Sequence, residues 1–204
     1  MMPSHPFAEI EAQDMATLAG LFPALVQREV VVNMDLDEPG RSFFDKLSLG
    51  LARRGRRGEV VLVLRRPDGR LWLHSKSHYP AGIYRLMSGG IVKEEPALDA
   101  ARRECWEEAG LTIPIADCLG AVRYELRRND ESLRFLSYFF IFDVNDAAPA
   151  SQDPSERICD YRAIAPAELP AVAEALRNAP PTWRDWGYFR AVGHDFVAER
   201  LAHQ

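Results

Sequence analysis

The hydrophobic pattern changes period several times along this chain, and each change predicts an element. Apolar positions spaced by three and four over residues 7–21 predict a helix, and the β-branched run Val30-Val31-Val32 within residues 28–36 predicts a strand that Pro39-Gly40 breaks. Residues 43–51 predict a second short helix, followed by a basic connector made of Arg53, Arg54, Arg56 and Arg57. Val60 to Arg65 is a continuous apolar run and predicts a buried strand, with Pro67-Asp68-Gly69 as the turn and Leu71 to Ser75 as the returning strand. After the loop Tyr79-Pro80-Ala81-Gly82, the stretch from Tyr84 to Met87 leads into an expected Ser88-Gly89-Gly90 turn. A helix then runs from Pro96, suited to a first turn, to Gly110, suited to a left-handed end. Its stripe of Leu98, Ala101, Cys105 and Ala109 should pack on a sheet.

Downstream, residues 121–126 and 133–144 predict two strands joined by Arg127-Arg128-Asn129-Asp130, and the second, apolar on both faces, should be central. A loop over residues 145–155 precedes a final short strand at 157–164. Ala165-Pro166 then opens a helix to about residue 177, and Pro180-Pro181 opens an aromatic-rich one. In that last helix Trp183, Trp186, Phe189, Val192 and Phe196 form an apolar stripe, which serves the core or a homodimer surface more often than a ligand cage.

Composition narrows the class. With 204 residues, 47% apolar and 27% charged, the chain fits one globular domain with extensions. A net charge of -5 argues against long DNA or RNA as a partner, and no window approaches the apolar run needed to span a membrane. The N-terminus lacks the form of a secretory signal, so a cytoplasmic location is expected. Cys105, Cys118 and Cys159 show no paired spacing and are expected as reduced thiols.

Chemistry concentrates on the helix from Pro96 to Gly110. At about 100° per residue, Glu104, Glu107 and Glu108 share one third of its circumference. Like charges crowded in this way call for a cation, and hard divalent ions prefer oxygen ligands. The carbonyl of Gly89, in the expected turn, is a further candidate metal ligand. A solvated acidic face is the bland alternative for such a run.

The stretch from Gly89 to Leu111 resembles the signature of the Nudix hydrolases. That pattern is Gly, any five, Glu, any seven, Arg-Glu, an aliphatic, any one, Glu-Glu, any one, Gly, an aliphatic. Gly89, Glu95, Arg103, Glu104, Glu107, Glu108, Gly110 and Leu111 fall in register, and Cys105 stands where an aliphatic residue is usual. Chance would produce such a register in roughly one chain in a million, which sets the bland reading aside.

The resemblance implies an α/β fold with a mixed sheet, a Nudix-type α/β/α sandwich covering residues 58–178. An N-terminal extension (1–57) would pack on the core or a partner, and a C-terminal helical tail would occupy 179–204. It implies hydrolysis of a nucleoside diphosphate linked to another moiety (a nucleotide sugar, an ADP-ribose-like compound or a nucleoside triphosphate), with Mg²⁺ or Mn²⁺. Matched onto this chain, Glu104 and Glu108 would hold the metal, and Glu107 would be a ligand or the base. Arg103 would hold a box carboxylate, and Glu95 and Gly110 would be structural. Glu156, before the last strand, is the best-placed glutamate outside the box for a catalytic role.

Substrate recognition is less legible. Arg85 suits bidentate contact with phosphate. Tyr79, Tyr84 and Tyr124 are candidates to stack on a base, although aromatics beside strands more often pack there. His74, His78 and His194 are scattered, and none is expected to be a ligand. Two other activities occur on folds of this kind. One is nucleotide sensing without cleavage, which the intact carboxylate set disfavours. The other is diphosphate isomerisation, which needs a cysteine in the cleft, whereas Cys105 should face the core.

Overall fold

The computed structural model describes residues 7–34 and 42–203, so the expected break at Pro39-Gly40 and the strand's expected end at Leu36 lie outside the described residues. In chain order the elements are α1 (Ala8–Leu21), β1 (Val26–Asn33), α2 (Phe43–Arg54), β2 (Gly58–Arg65), β3 (Leu71–Lys76), β4 (Met87–Ile91) and α3 (Ala97–Ala109). They continue with β5 (Asp117–Arg128), β6 (Glu131–Asp143), β7 (Ile158–Ile164), α4 (Leu169–Arg177) and α5 (Arg184–Ala202). The strands form one mixed sheet in the order β1-β5-β6-β2-β3-β7, with β4 also paired to β2.

Strands β2 and β6, with their long apolar runs, sit at the centre because both their faces are covered. Along β2, Val60, Leu62 and Leu64 face a cluster with Ala101 and Cys105 of α3 and Met15 and Leu18 of α1. Val61 and Val63 face the opposite cluster, with Phe44 and Leu47 of α2 and Phe189, Phe196 and Val197 of α5. This alternation follows from the two-residue strand period, and it makes an α/β/α sandwich. The same split divides Tyr138, Phe140 and Phe142 of β6 from Phe135, Phe139 and Ile141. Tyr124, a stacking candidate, is buried in the core against Phe189.

The segment before β2 is built into this layer structure. Strand β1 pairs in parallel with β5 over its whole length. Asp14 of α1 accepts from the Arg57 guanidinium at 2.6 Å and from the Ala97 backbone N–H of α3 at 3.0 Å. The expected basic connector is corrected here. Arg53 and Arg54 end α2, while Arg57 is fully buried and Arg56 half-buried, because each finds a carboxylate. Among the described residues no helix is long and apolar enough to cross a membrane, and all three cysteines are free.

A second correction concerns the glycines. Ser88, Gly89 and Gly90 are not a turn but lie inside β4, where Gly89 pairs with Val60 and Gly90 with Glu59. The bend falls later, at residues 92–96, where Glu95 N–H donates to the Val92 carbonyl. Glycine is needed in β4 for space: a Cβ on Gly89 would overlap the Glu104 carboxyl group. Gly110, by contrast, has φ +71° and ends α3 as expected, its N–H donating to the Trp106 carbonyl.

Candidate active site

Helix α3 presents its carboxylates toward β4, and one arginine organises their surroundings. Arg103 Nε donates to Glu95 Oε1 at 2.8 Å, and Nη2 to Glu95 Oε2 at 3.0 Å and to the Gly90 carbonyl at 2.9 Å. Its Nη1 reaches Glu104 at 2.6 Å and Glu107 at 2.9 Å. A planar guanidinium satisfies several acceptors at once, which a lysine could not do in this geometry. Glu95 in turn accepts from the Val92 N–H at 3.3 Å, so the bend before the helix is closed from both sides.

The loop after β6 delivers the third carboxylate. Gln152 N–H and the Ser151 hydroxyl both donate to the Glu107 carbonyl at the open end of α3, and Ala150 N–H donates to the Ala109 carbonyl. Asp153 then caps a 3-10 turn at Pro154–Glu156. Glu104, Glu108 and Glu156 consequently offer carboxylate oxygens that lie within 4.8 Å of one another. Glu107 stands outside this set, with its carboxylate on Arg103.

Three close carboxylates in a partly dry site perturb one another. Burial pushes the Glu104 carboxyl up to about 7; Arg103 opposes the rise, and Glu108 adds to it. Glu108 is fully buried and also raised by burial, against Lys76 and Arg85. For Glu156 burial is outweighed by the hydrogen bond and charge of Lys76, which leave it below the ordinary carboxylate range. Lys76, at the bulged end of β3, donates to Glu108 at 2.9 Å and to Glu156. One oxygen of Glu108 is buried without a partner. A hard divalent cation fits this donor set: oxygens only, one of them orphaned, beside a strand with no Cβ in the way.

Behind the carboxylates lies a buried network that the sequence reading did not single out. Glu59 is fully buried and accepts from Arg190 of α5 at 2.8–2.9 Å, from Arg56 at 3.3 Å and from the Ser137 hydroxyl at 2.8 Å. Arg190 and Arg56 outweigh its burial and keep it ionised. Arg85 is also buried, with Nε on the Tyr79 hydroxyl at 2.8 Å and Nη1 on the Leu86 carbonyl and Ser88 hydroxyl. With Lys76, Glu156, Arg56 and Arg190, Arg85 lines a cavity of about 400 Å³ that opens beside the carboxylates. Tyr84 is directed elsewhere: its hydroxyl donates to Asp160 of β7, and Arg162 lies over its ring. Of the histidines, His74 is buried and His194 accepts from the Leu86 N–H at 3.0 Å, while His78 lies at the cavity.

The family model for the NUDIX domain matches residues 55–186, more than half of the chain. Among solved structures, the fold is similar to that of a MutT protein from Methanosarcina mazei Go1, at 19% identity, covering 74% of this chain and 96% of that one, with a TM-score of 0.49. It is also similar to the NUDIX domain of Shewanella oneidensis NrtR complexed with ADP ribose, at 17% identity, covering 78% and 99%, with a TM-score of 0.48. A MutT NUDIX hydrolase from Burkholderia pseudomallei gives 25% identity over 54% of this chain and 84% of that one, with a TM-score of 0.44. A search of curated proteins finds no match. The chain belongs to the Nudix family.

Proposed function

We propose that this protein is a Mg²⁺-dependent pyrophosphohydrolase that cleaves the diphosphate bond of a nucleoside diphosphate linked to a second moiety. The observation that carries this reading is the meeting of Glu104, Glu108 and Glu156 within 4.8 Å beside a cation-lined cavity. Glu104 and Glu108 would hold the metal, with Mn²⁺ as a substitute. When bound, the metal would supply polarisation of a phosphoryl oxygen and a lowered pKa for water.

The chain's own residues have distinct tasks in this reading. Glu156, whose carboxylate is kept ionised by Lys76, takes a proton from the attacking water. The water oxygen bonds to one phosphorus, the bridging P–O bond breaks, and its electron pair leaves with the second phosphate. Arg103 holds Glu104 and Glu107 in place, so Glu107 supports the metal side or the water from a fixed position. Arg85 and Lys76 balance the charge of the diphosphate at the cavity.

A chromatographic screen for phosphomonoester or pyrophosphate products, with Mg²⁺, over nucleoside triphosphates, nucleotide sugars, ADP-ribose, dinucleotides and coenzyme A tests this reading. Turnover of at least one member, abolished by chelation, is the expected result. Nucleotide binding with no turnover of any member would replace the hydrolase with a sensor. An isomerase would convert a diphosphate without breaking its P–O–P bond, but Cys105 packs in the core, where burial pushes its thiol up to about 12.

A further inference from the structure

The cavity beside the carboxylates has two kinds of lining. One is aromatic: the Trp183 and Trp186 rings lie 5.1 Å apart, nearly perpendicular, and Tyr79 lies 5.0 Å from Trp186 and 5.8 Å from Trp183. The edges of these rings brace one another, so the surface is ordered before anything binds. The second lining is cationic, made of Lys46, Arg56, Lys76, Arg85 and Arg190. Glu156, already on Lys76, is the one carboxylate among the described lining residues.

The lining chemistry discriminates between occupants. A quaternary ammonium would suit the aromatic rings but meets Lys46 and Arg85, the lining cations with no carboxylate ion-pair partner among the described residues. A bare sugar ring would want carboxylate and amide groups for its hydroxyls, and the lining offers one committed carboxylate and no amide side chain. A planar aromatic ring carrying phosphate satisfies both linings, and about 400 Å³ is within the size range of small-molecule sites.

We infer that this cavity seats the nucleoside end of the substrate. Its base stacks on Trp183, the more open of the two indoles, and its phosphates lie toward Lys46 and Arg85. Trp183 is thereby a specificity-determining residue. The inference rests on the hydrolase reading for the direction of the scissile bond, but not for the binding itself. Part of the cavity wall, Phe43 and Lys46 of α2 and Arg190 of α5, lies outside the span matched by the family model.

Isothermal titration calorimetry on the full-length protein with chelator present separates the two readings, using AMP, ribose 5-phosphate and inorganic pyrophosphate as probes. AMP should bind at least about tenfold more tightly than ribose 5-phosphate, since stacking of one base is worth about 1–3 kcal/mol. Trp183→Ala should erase that difference and leave pyrophosphate binding unchanged, and Trp183→Phe should restore most of it. Lys46→Glu, on an exposed side chain, should weaken AMP and pyrophosphate alike. Equal affinity for AMP and ribose 5-phosphate, or AMP affinity within twofold of wild type in Trp183→Ala, overturns the inference while leaving hydrolysis untouched. AMP binding that depends on Trp183, found together with no turnover in the screen, supports the inference and removes the hydrolase.

Discussion

Glu156 and Lys76 meet from opposite sides of the site, 80 positions apart, and neither is part of the box. If Glu156 takes the proton, Glu156→Gln should lower turnover by about 10² or more while metal affinity falls much less; near-normal turnover would remove Glu156 from the mechanism. A second consequence at this scale concerns His194. Burial pushes its imidazole down to about 4, with Arg85 and Arg190 adding to the fall and the Arg190 carbonyl opposing it. Between about 6.5 and about 4 the unfolded chain therefore binds a proton that the folded chain refuses, so stability falls as pH drops through that window. The loss should reach about 3 kcal/mol from this group, and His74, held well below its ordinary value mainly by burial, adds to it. Urea midpoints at pH 7 and pH 4.5 should show the drop, and His194→Gln should flatten it. Residues on α3 were legible because their spacing alone places them on one face. Lys76 and Glu59 were not, because a buried charge takes its meaning from partners far along the chain.

Helices and strands were read well wherever the period was regular, as in β2, β6 and α3. The stretch at Ser88-Gly89-Gly90 was misread because glycine is the commonest sign of a turn, while hydrogen bonds to β2 hold it extended. What the element requires is the absence of a side chain where the helix presses its first carboxylate against the strand. Gly89→Ala should therefore keep the fold, since alanine is tolerated in an extended strand, yet displace Glu104. The expected result is an unchanged circular dichroism spectrum with Mg²⁺ affinity reduced about tenfold or more; unaltered affinity would mean that Glu104 is not a ligand. Trp183 and Trp186 belong to the same lesson. Helical spacing left this stripe as core or dimer surface; Phe189 and Phe196 lie in the core, and the spacing could not show that the first turn of the stripe flanks a cavity.

For the whole molecule, a formal charge of -5 conceals a local concentration of cations, and only folding brings Lys46, Arg56, Lys76, Arg85 and Arg190 together. The opening segment is likewise tied to the site, through Asp14, Arg57 and the first turn of α3. Asp14→Ala would leave the Arg57 guanidinium buried without its carboxylate, which typically costs about 3–5 kcal/mol. Equilibrium unfolding in urea should show this, and a change below about 1 kcal/mol would mean that the clamp is dispensable. On the far side, Glu59 depends on Arg190 in the last helix. These two anchors stand 176 positions apart (190 − 14), which gives the site a history as well as a geometry. Synthesis runs from the N-terminus, so a growing chain carries the complete 89–111 stretch while Glu59 still lacks Arg190, one of the two arginines that keep it ionised. The box is therefore complete on a nascent chain before α5 can supply Arg190, and the site is finished only once that helix docks.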